Sequence, residues 1–210
     1  RPLPGDHVGV VVGMDEGATL SRKYPERDRV AILGGALIGE EARAGRGETT
    51  YKAECSSCHD IGAPRVGQVT ALAEIGTDPE RVRSFTPELA GRMNTIGEGQ
   101  PWQFSHFRKT EGYANMPLDG LWLRAPYLHN GSVPTLRALL FPEERPAEFY
   151  RAYDVYDWEN VGFVSSGAEA AREGVRFDTR LKGNSNAGHL YGQHLTRELR
   201  EELLEYLKTL

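Results

Sequence analysis

Gly47-Glu48-Thr49-Thr50-Tyr51-Lys52-Ala53-Glu54-Cys55-Ser56-Ser57-Cys58-His59 ends by placing two thiols and an imidazole within five residues. Cysteines three apart on a helical turn lie on one side of the chain, and the next residue, His59, reaches the same side. Two such thiols can form thioethers with the vinyl groups on one edge of a haem while the imidazole ligates its iron, which makes C-x-x-C-H the attachment signature of c-type haem. The expected cofactor is one covalent haem c, anchored at Cys55 and Cys58, with His59 as the proximal ligand. Covalent attachment keeps the cofactor where a non-covalent haem could be lost.

Two other chemistries use the same residue types. A thioredoxin-like C-x-x-C pair sits between a strand and a helix of a βαβ pattern, which is not visible here. A zinc site could draw on Cys55, Cys58, His189 and His194, but its two halves would be 130 residues apart in sequence, whereas such sites are built from compact units. With only 2 Cys in 210 residues there is no disulfide framework.

Upstream of the motif, Gly47, Tyr51 and Cys55 fall at i, i+4 and i+8 of a helix running from about Gly39 to Glu54. At the other end, Leu199, Leu203, Tyr206, Leu207 and Leu210 form one apolar helix face with Thr196 as N-cap. Short helices are expected at Asp78 to Phe85 and Thr135 to Leu140. Residues 60–135 are rich in Gly and Pro and carry Trp102, Phe104, Phe107, Trp122 and Tyr127. Long loops of this kind are uncommon unless they wrap something. Residues 1–40 read as an arm or extension, with runs at Val8 to Val12 and Val30 to Leu33 as short strands or extended chain. The haem domain is expected over 41–210. The chain begins at Arg1 without Met or a signal-like apolar region, which reads as a processed or trimmed product.

With 25 Lys plus Arg against 30 Asp plus Glu, the net charge is −5, which offers no nucleic-acid surface. The longest apolar run, Val30 to Ile38, is far short of the ~20 residues that span a bilayer. The 24 Gly and 12 Pro argue for a loop-rich globule over a coiled coil. There is no carboxylate pair, no nucleophile with its base and no Gly-rich phosphate loop. Asp154, Asp157 and Glu159 read as a solvated acidic loop.

The two flanking helices, with Gly47, Tyr51 and C-x-x-C-H, resemble the cytochrome c fold, in which terminal helices cross and the chain between them wraps the haem. The resemblance implies a mainly α fold with long loops around one haem. A more specific likeness lies in Met116-Pro117-Leu118-Asp119-Gly120-Leu121-Trp122-Leu123-Arg124-Ala125-Pro126-Tyr127-Leu128-His129-Asn130-Gly131-Ser132-Val133-Pro134-Thr135-Leu136. It is similar to the A-P-Y-x-H-[ND]-G-S-x-x-T-L stretch of the bacterial dihaem cytochrome c peroxidase superfamily. The preceding P-L-D-G-L-W and the later Gly183-Asn184-Ser185-Asn186-Ala187-Gly188-His189 bring it nearer the rubber-oxygenase-like branch. The likeness covers roughly 47–210, in patches. Members carry two C-x-x-C-H motifs and this chain has one, matching the C-terminal, electron-transfer half.

The second axial position decides between carrier and enzyme. Met116, 57 residues after His59 in a Pro-rich loop, suits a His/Met carrier. The rubber-oxygenase-like pattern implies two His ligands, with His189 at the matching position and Gly183 and Gly188 permitting a tight approach. The same resemblance implies a hydrogen-bonding place for His129 near the haem edge or propionates. Arg124, Arg108 and Lys109 are candidates to pair with propionates, and Trp102 and Trp122 are expected as pocket walls. His106 and His194 read as surface or loop residues. The expected function is single-electron transfer to a redox partner protein or a neighbouring haem subunit. Thioether formation implies a periplasmic or extracellular setting, or one on the outer side of a membrane. The rivals are a peroxidase or oxygenase with an open iron face and a haem-bearing structural subunit of a larger redox complex.

Overall fold

The computed structural model describes residues 41–210, so the expected N-terminal arm and its two apolar runs lie outside the described residues. Helix α1, Glu41–Glu54, turns Ala44, Gly47, Thr50 and Tyr51 inward at three- and four-residue spacing. Its hydrogen bonding runs on into α2, Ser56–His59: the Cys55 amide donates to the Tyr51 carbonyl at 2.8 Å and the His59 amide to Cys55 at 3.1 Å.

The chain then forms β1 (Val69–Ala71), α3 (Leu72–Ile75), α4 (Glu80–Ser84) and α5 (Pro87–Asn94), the last capped by the Thr86 hydroxyl. Strand β2, Gly112–Ala114, pairs antiparallel with β1 in the register Thr70↔Tyr113. A 3-10 turn at Leu121–Leu123 precedes α6, Leu136–Leu140, where the Thr135 hydroxyl accepts from the Ala138 amide. Two more antiparallel pairs follow: β3 (Glu148–Arg151) with β6 (Val175–Asp178), and β4 (Tyr156–Asp157) with β5 (Gly162–Phe163). Helix α7, Gly167–Glu173, lies between β5 and β6, and α8, Arg197–Leu207, comes last.

Helices α1 and α8 pack directly on one another. Gly47 permits this: a Cβ there would stand 2.0 Å from the Glu202 carbonyl oxygen and 2.9 Å from the Tyr206 Cβ. Around that contact Tyr51 meets Tyr206 with ring centres 5.0 Å apart, and the buried Glu202 carboxylate is paired by Arg46. Leu203, Leu204 and Leu207 join Tyr51, Leu121, Tyr127, Val133 and Leu136 in one core, so the crossed helices and residues 121–136 share an interior. Thr196 caps α8 as expected, its hydroxyl accepting from the Leu199 amide at 3.3 Å. Leu199 itself is 37% exposed. The crossing is centred on Glu202, and Leu199 lies almost a turn short of it.

The short helices fall near the expected places, but the three two-stranded sheets gave no sequence signal. Strands of two to four residues are too short to display an alternating pattern.

Candidate haem site

Between the α1–α2 segment, residues 113–129 and the loop after β6 lies a cavity of about 540 Å³, within the usual ~300–1,000 Å³ of small-molecule sites. Glu54, Cys55, Cys58 and His59 form one side. Ile75, Thr77 and Tyr113 to Met116 form another, and Leu118, Leu121, Arg124 and Pro126 to His129 a third. His189 and Tyr191 close the far side, and Ser57, Arg65, Thr70 and Leu139 also border it.

His59 is fixed by a main-chain group. Its Nδ1 lies 2.7 Å from the Met116 carbonyl oxygen. A carbonyl can only accept, so Nδ1 carries the proton and Nε2 keeps its lone pair, the state an axial ligand needs. His189 lies across the cavity with its ring centre 6.4 Å from that of His59 and the ring planes 47° apart. Two imidazoles on one metal at bond lengths of about 2.0 Å, each ring centre roughly 1.2 Å behind its ligating nitrogen, stand about 6 Å apart. The spacing therefore fits a single iron between them. Burial, with a smaller push from the neighbouring His59 and Arg145, pulls His189 down to about 4, so its ring is neutral near pH 7 and able to donate a lone pair.

Cys55 and Cys58 are half-buried and not joined to each other. Burial, with the nearby Glu54 carboxylate, pushes the Cys55 thiol up to about 12. The anchoring residues, both imidazoles and an apolar cavity between them thus fit a haem. A zinc site does not assemble. His194 is turned outward onto Glu54 at 3.2 Å, and among the described residues no group of three or more His, Cys, Asp or Glu side chains is placed to hold a bare ion.

The loop that presents His189 is held by individual hydrogen bonds, most of them between a side chain and a backbone group. Asn130 Nδ2 donates to the carbonyls of Gly183 (3.2 Å) and Ser185 (2.9 Å), and the Ser185 amide donates to Asp78 Oδ2 at 3.2 Å. Gly188, at φ +83°, passes so close to the Gly76–Thr77 peptide that a Cβ would lie 2.4 Å from its atoms. His189 takes a left-handed φ of +50° and its amide donates to the Ile75 carbonyl at 2.8 Å. Asn186 Nδ2 donates to the Pro146 carbonyl at 2.9 Å and Asn184 Nδ2 to that of Asp178 at 3.0 Å. Arg145 adds a further grip, and burial lowers its guanidinium to about 10, still charged at neutral pH.

His129 borders the cavity, stacked on Tyr113 with ring centres 4.0 Å apart, and its Nε2 donates to the Asp78 carbonyl at 3.0 Å. Burial lowers its pKa. Arg124 also borders the cavity, its guanidinium tied to the Pro117 carbonyl at 2.7 Å and to that of Asp119. Arg108 and Lys109 do not reach it: Arg108 is exposed, and Lys109 donates to the Val82 carbonyl at 2.6 Å. Neither expected tryptophan wall is present. Trp122 points away from the cavity border toward Trp158, ring centres 6.4 Å apart, because its neighbour Leu121 takes the inward position of the turn. Trp102 is 66% exposed and rests on Gly97. Met116 borders the cavity but is 60% exposed, and it holds His59 through its main chain.

The sequence pattern carries no signal for Arg65, Thr77 and Tyr113, which line the cavity, or for Arg145, which braces its loop, because none of them sits in a motif. Asn130, the other brace, lies inside the 116–136 stretch, where nothing marks its side chain as a clamp.

Residues 112–151 match the family described as RoxA-like, cytochrome c-like, which marks a cytochrome c-like region of the RoxA-like branch and a haem-binding type of domain. This span contains the stretch from Met116 to Leu136. Two curated relatives, both described as uncharacterised, come from Sinorhizobium fredii (strain NBRC 101917 / NGR234). The protein y4iJ is 42% identical over 192 residues, covering 87% of this chain and 31% of its own length. The protein y4iM is 32% identical over 212 residues, covering 80% of this chain and 48% of its own length. The chain spans about a third and about half of these relatives. No helix among the described residues is long and apolar enough to cross a membrane.

Proposed function

We infer that the chain is a one-haem c-type cytochrome unit that passes single electrons, with Cys55 and Cys58 as the anchors, His59 as the proximal ligand and His189 as the distal one. The observation that carries this reading is the pair of imidazoles facing each other across one cavity at 6.4 Å, beside the two thiols. Bound haem would supply a reversible one-electron iron couple.

The protein's own contribution is to hold both ligands still. The Met116 carbonyl orients His59, and the Ile75 carbonyl fixes the backbone of His189. That use of Met116 also argues against its sulfur as distal ligand, since its main chain is tied behind the proximal imidazole. Ligands held on both sides exclude peroxide and oxygen, which favours a carrier over a peroxidase or oxygenase. Arg124 and Arg65 are the cations that border the cavity and could meet the propionates, whereas the one N–H of the neutral His129 ring is already given to the Asp78 carbonyl; Tyr127, Leu121 and Leu118 keep water from the ring. The partner would be a redox protein or a neighbouring haem subunit, in the periplasm or outside the cell. The likeness to the electron-transfer half of dihaem peroxidases supports the same role.

The full chain, produced in a host that attaches haem c, should keep haem stain on a denaturing gel and exceed its polypeptide mass by one haem. Its ferric spectrum should be low-spin, and His189→Ala should make it high-spin, with carbon monoxide bound readily once reduced. A colourless product, or a methionine-to-iron charge-transfer band that disappears in Met116→Ala, would overturn the assignment.

A further inference from the structure

Arg145 follows directly on the turn at Pro142–Glu144 and uses its guanidinium as a four-way fork. Nη1 donates to the carbonyls of Asn186 (2.6 Å) and Gly188 (2.9 Å) in the His189 loop. Nε donates to Ala138 and Nη2 to Leu139, both at 3.1 Å, on α6. The peptide joining Gly188 to His189 is thereby pinned at both ends, its oxygen by Arg145 and its N–H by the Ile75 carbonyl. Among the described residues no carboxylate pairs with this cation. The adjacent Glu143 is engaged by Arg200, and Glu144 by Arg137 and Arg197. A buried charge compensated only by carbonyl dipoles is expensive to keep, and a planar fork is the one side chain that can bind four fixed acceptors at once.

We propose that Arg145 is the positioning residue for the distal ligand: its fork holds the His189 loop against α6 so that the imidazole does not swing off the iron, and its uncompensated charge favours the reduced centre. The proposal rests on the reading of His189 as the distal ligand. Two roles are combined in one group, and they separate by substitution. Lysine keeps the charge without the fixed fork, whereas methionine keeps much of the bulk and loses both.

The test uses the haem-loaded full chain as wild type, Arg145→Lys, Arg145→Met, His189→Ala and Leu203→Ala. The readouts are haem stain, carbon monoxide capture by the ferrous form and the midpoint potential. All should retain covalent haem. Arg145→Met should capture carbon monoxide at least tenfold faster than wild type and show a lower potential, because a nearby cation opposes the extra charge of ferric iron. Arg145→Lys should also capture it faster, with a potential close to wild type. Leu203→Ala, destabilised in the core and not in the loop, should match wild type in both. Wild-type capture and potential in the two Arg145 variants, alongside an opened iron in His189→Ala, would overturn the proposal and leave the ligand reading standing. So would Leu203→Ala reproducing the Arg145→Met changes. A low-spin, closed His189→Ala would instead remove the ligand reading itself. Should Arg145→Met fail to accumulate, faster capture in Arg145→Lys supports the clamp and wild-type capture overturns it.

Discussion

The α1–α8 crossing and the loop that carries His189 serve the same cavity, one through the cysteine motif that continues α1 and the other through His189 itself, yet they are held by different physics. The crossing is a buried apolar contact of regular helices, with Leu203 and Leu207 only 2% and 3% exposed. The loop has no strand or helix between Asp178 and Arg197 and owes its shape to single hydrogen bonds, donated by Asn130 and Arg145 and accepted by Asp78. Area burial is distributed over many atoms and tolerates small changes by degrees. A loop tied by individual hydrogen bonds loses its geometry one residue at a time. The helices should therefore govern global stability, and the loop the state of the iron.

The strongest test of that division is a pair of glycines. Gly47→Ala should cost above about 3 kcal/mol in global unfolding, at the upper end for overpacking, because the new methyl meets a backbone carbonyl and not a flexible side chain. The spectrum of the protein that remains folded should be that of wild type. Gly188→Ala combines a left-handed backbone with a similar overlap and should instead yield a high-spin fraction in the folded state. Identical phenotypes for the two would erase the distinction.

Next in size, Leu203→Ala should lose about 3 kcal/mol by denaturant titration, whereas the exposed Leu199→Ala should lose less than about 0.5 kcal/mol. Asn130→Ala, which releases two loop carbonyls, should cost about 1–2 kcal/mol and broaden the low-spin signal. An unchanged signal would mean the loop is held without it.

The smallest effect is a difference in pH dependence. Burial holds the folded-state pKa of His129 below its ordinary 6.5, so the unfolded chain takes up a proton first as the pH falls. The unfolded state binds more protons in that window, and stability drops as pH falls below 6.5. His129→Phe, which preserves the stacking on Tyr113, should lose less stability than wild type between pH 7 and pH 5. Equal losses would place His129 in contact with water.

Legibility in the sequence followed the same division. Helix α8 and its Thr196 cap were readable because a periodic face and a capping residue are local properties, and Gly47 and Tyr51 were readable from their helical spacing to Cys55. The five residues of C-x-x-C-H pointed to the cofactor because that chemistry needs its groups adjacent in the chain. His189 was reached only through a resemblance. Arg145 and Asn130 were missed as braces because their acceptors are backbone carbonyls 41 and 55 residues away, and a carbonyl has no sequence. The tryptophans misled for a related reason: aromatic content indicates burial of something, but the inward side of the turn at Leu121 went to the leucine.

The closeness of α1 to α8 also bears on how freely the chain between them can vary. Arg46 and Glu202, which face each other at the crossing, are 156 residues apart in sequence, so their meeting closes one of the longest loops in the chain. The entropy lost in closing such a loop grows only logarithmically with its length, and doubling it would add about 0.6 kcal/mol. Surface insertions between the two helices should therefore leave the crossing in place, and the wrapping segment can change length while its two ends stay joined.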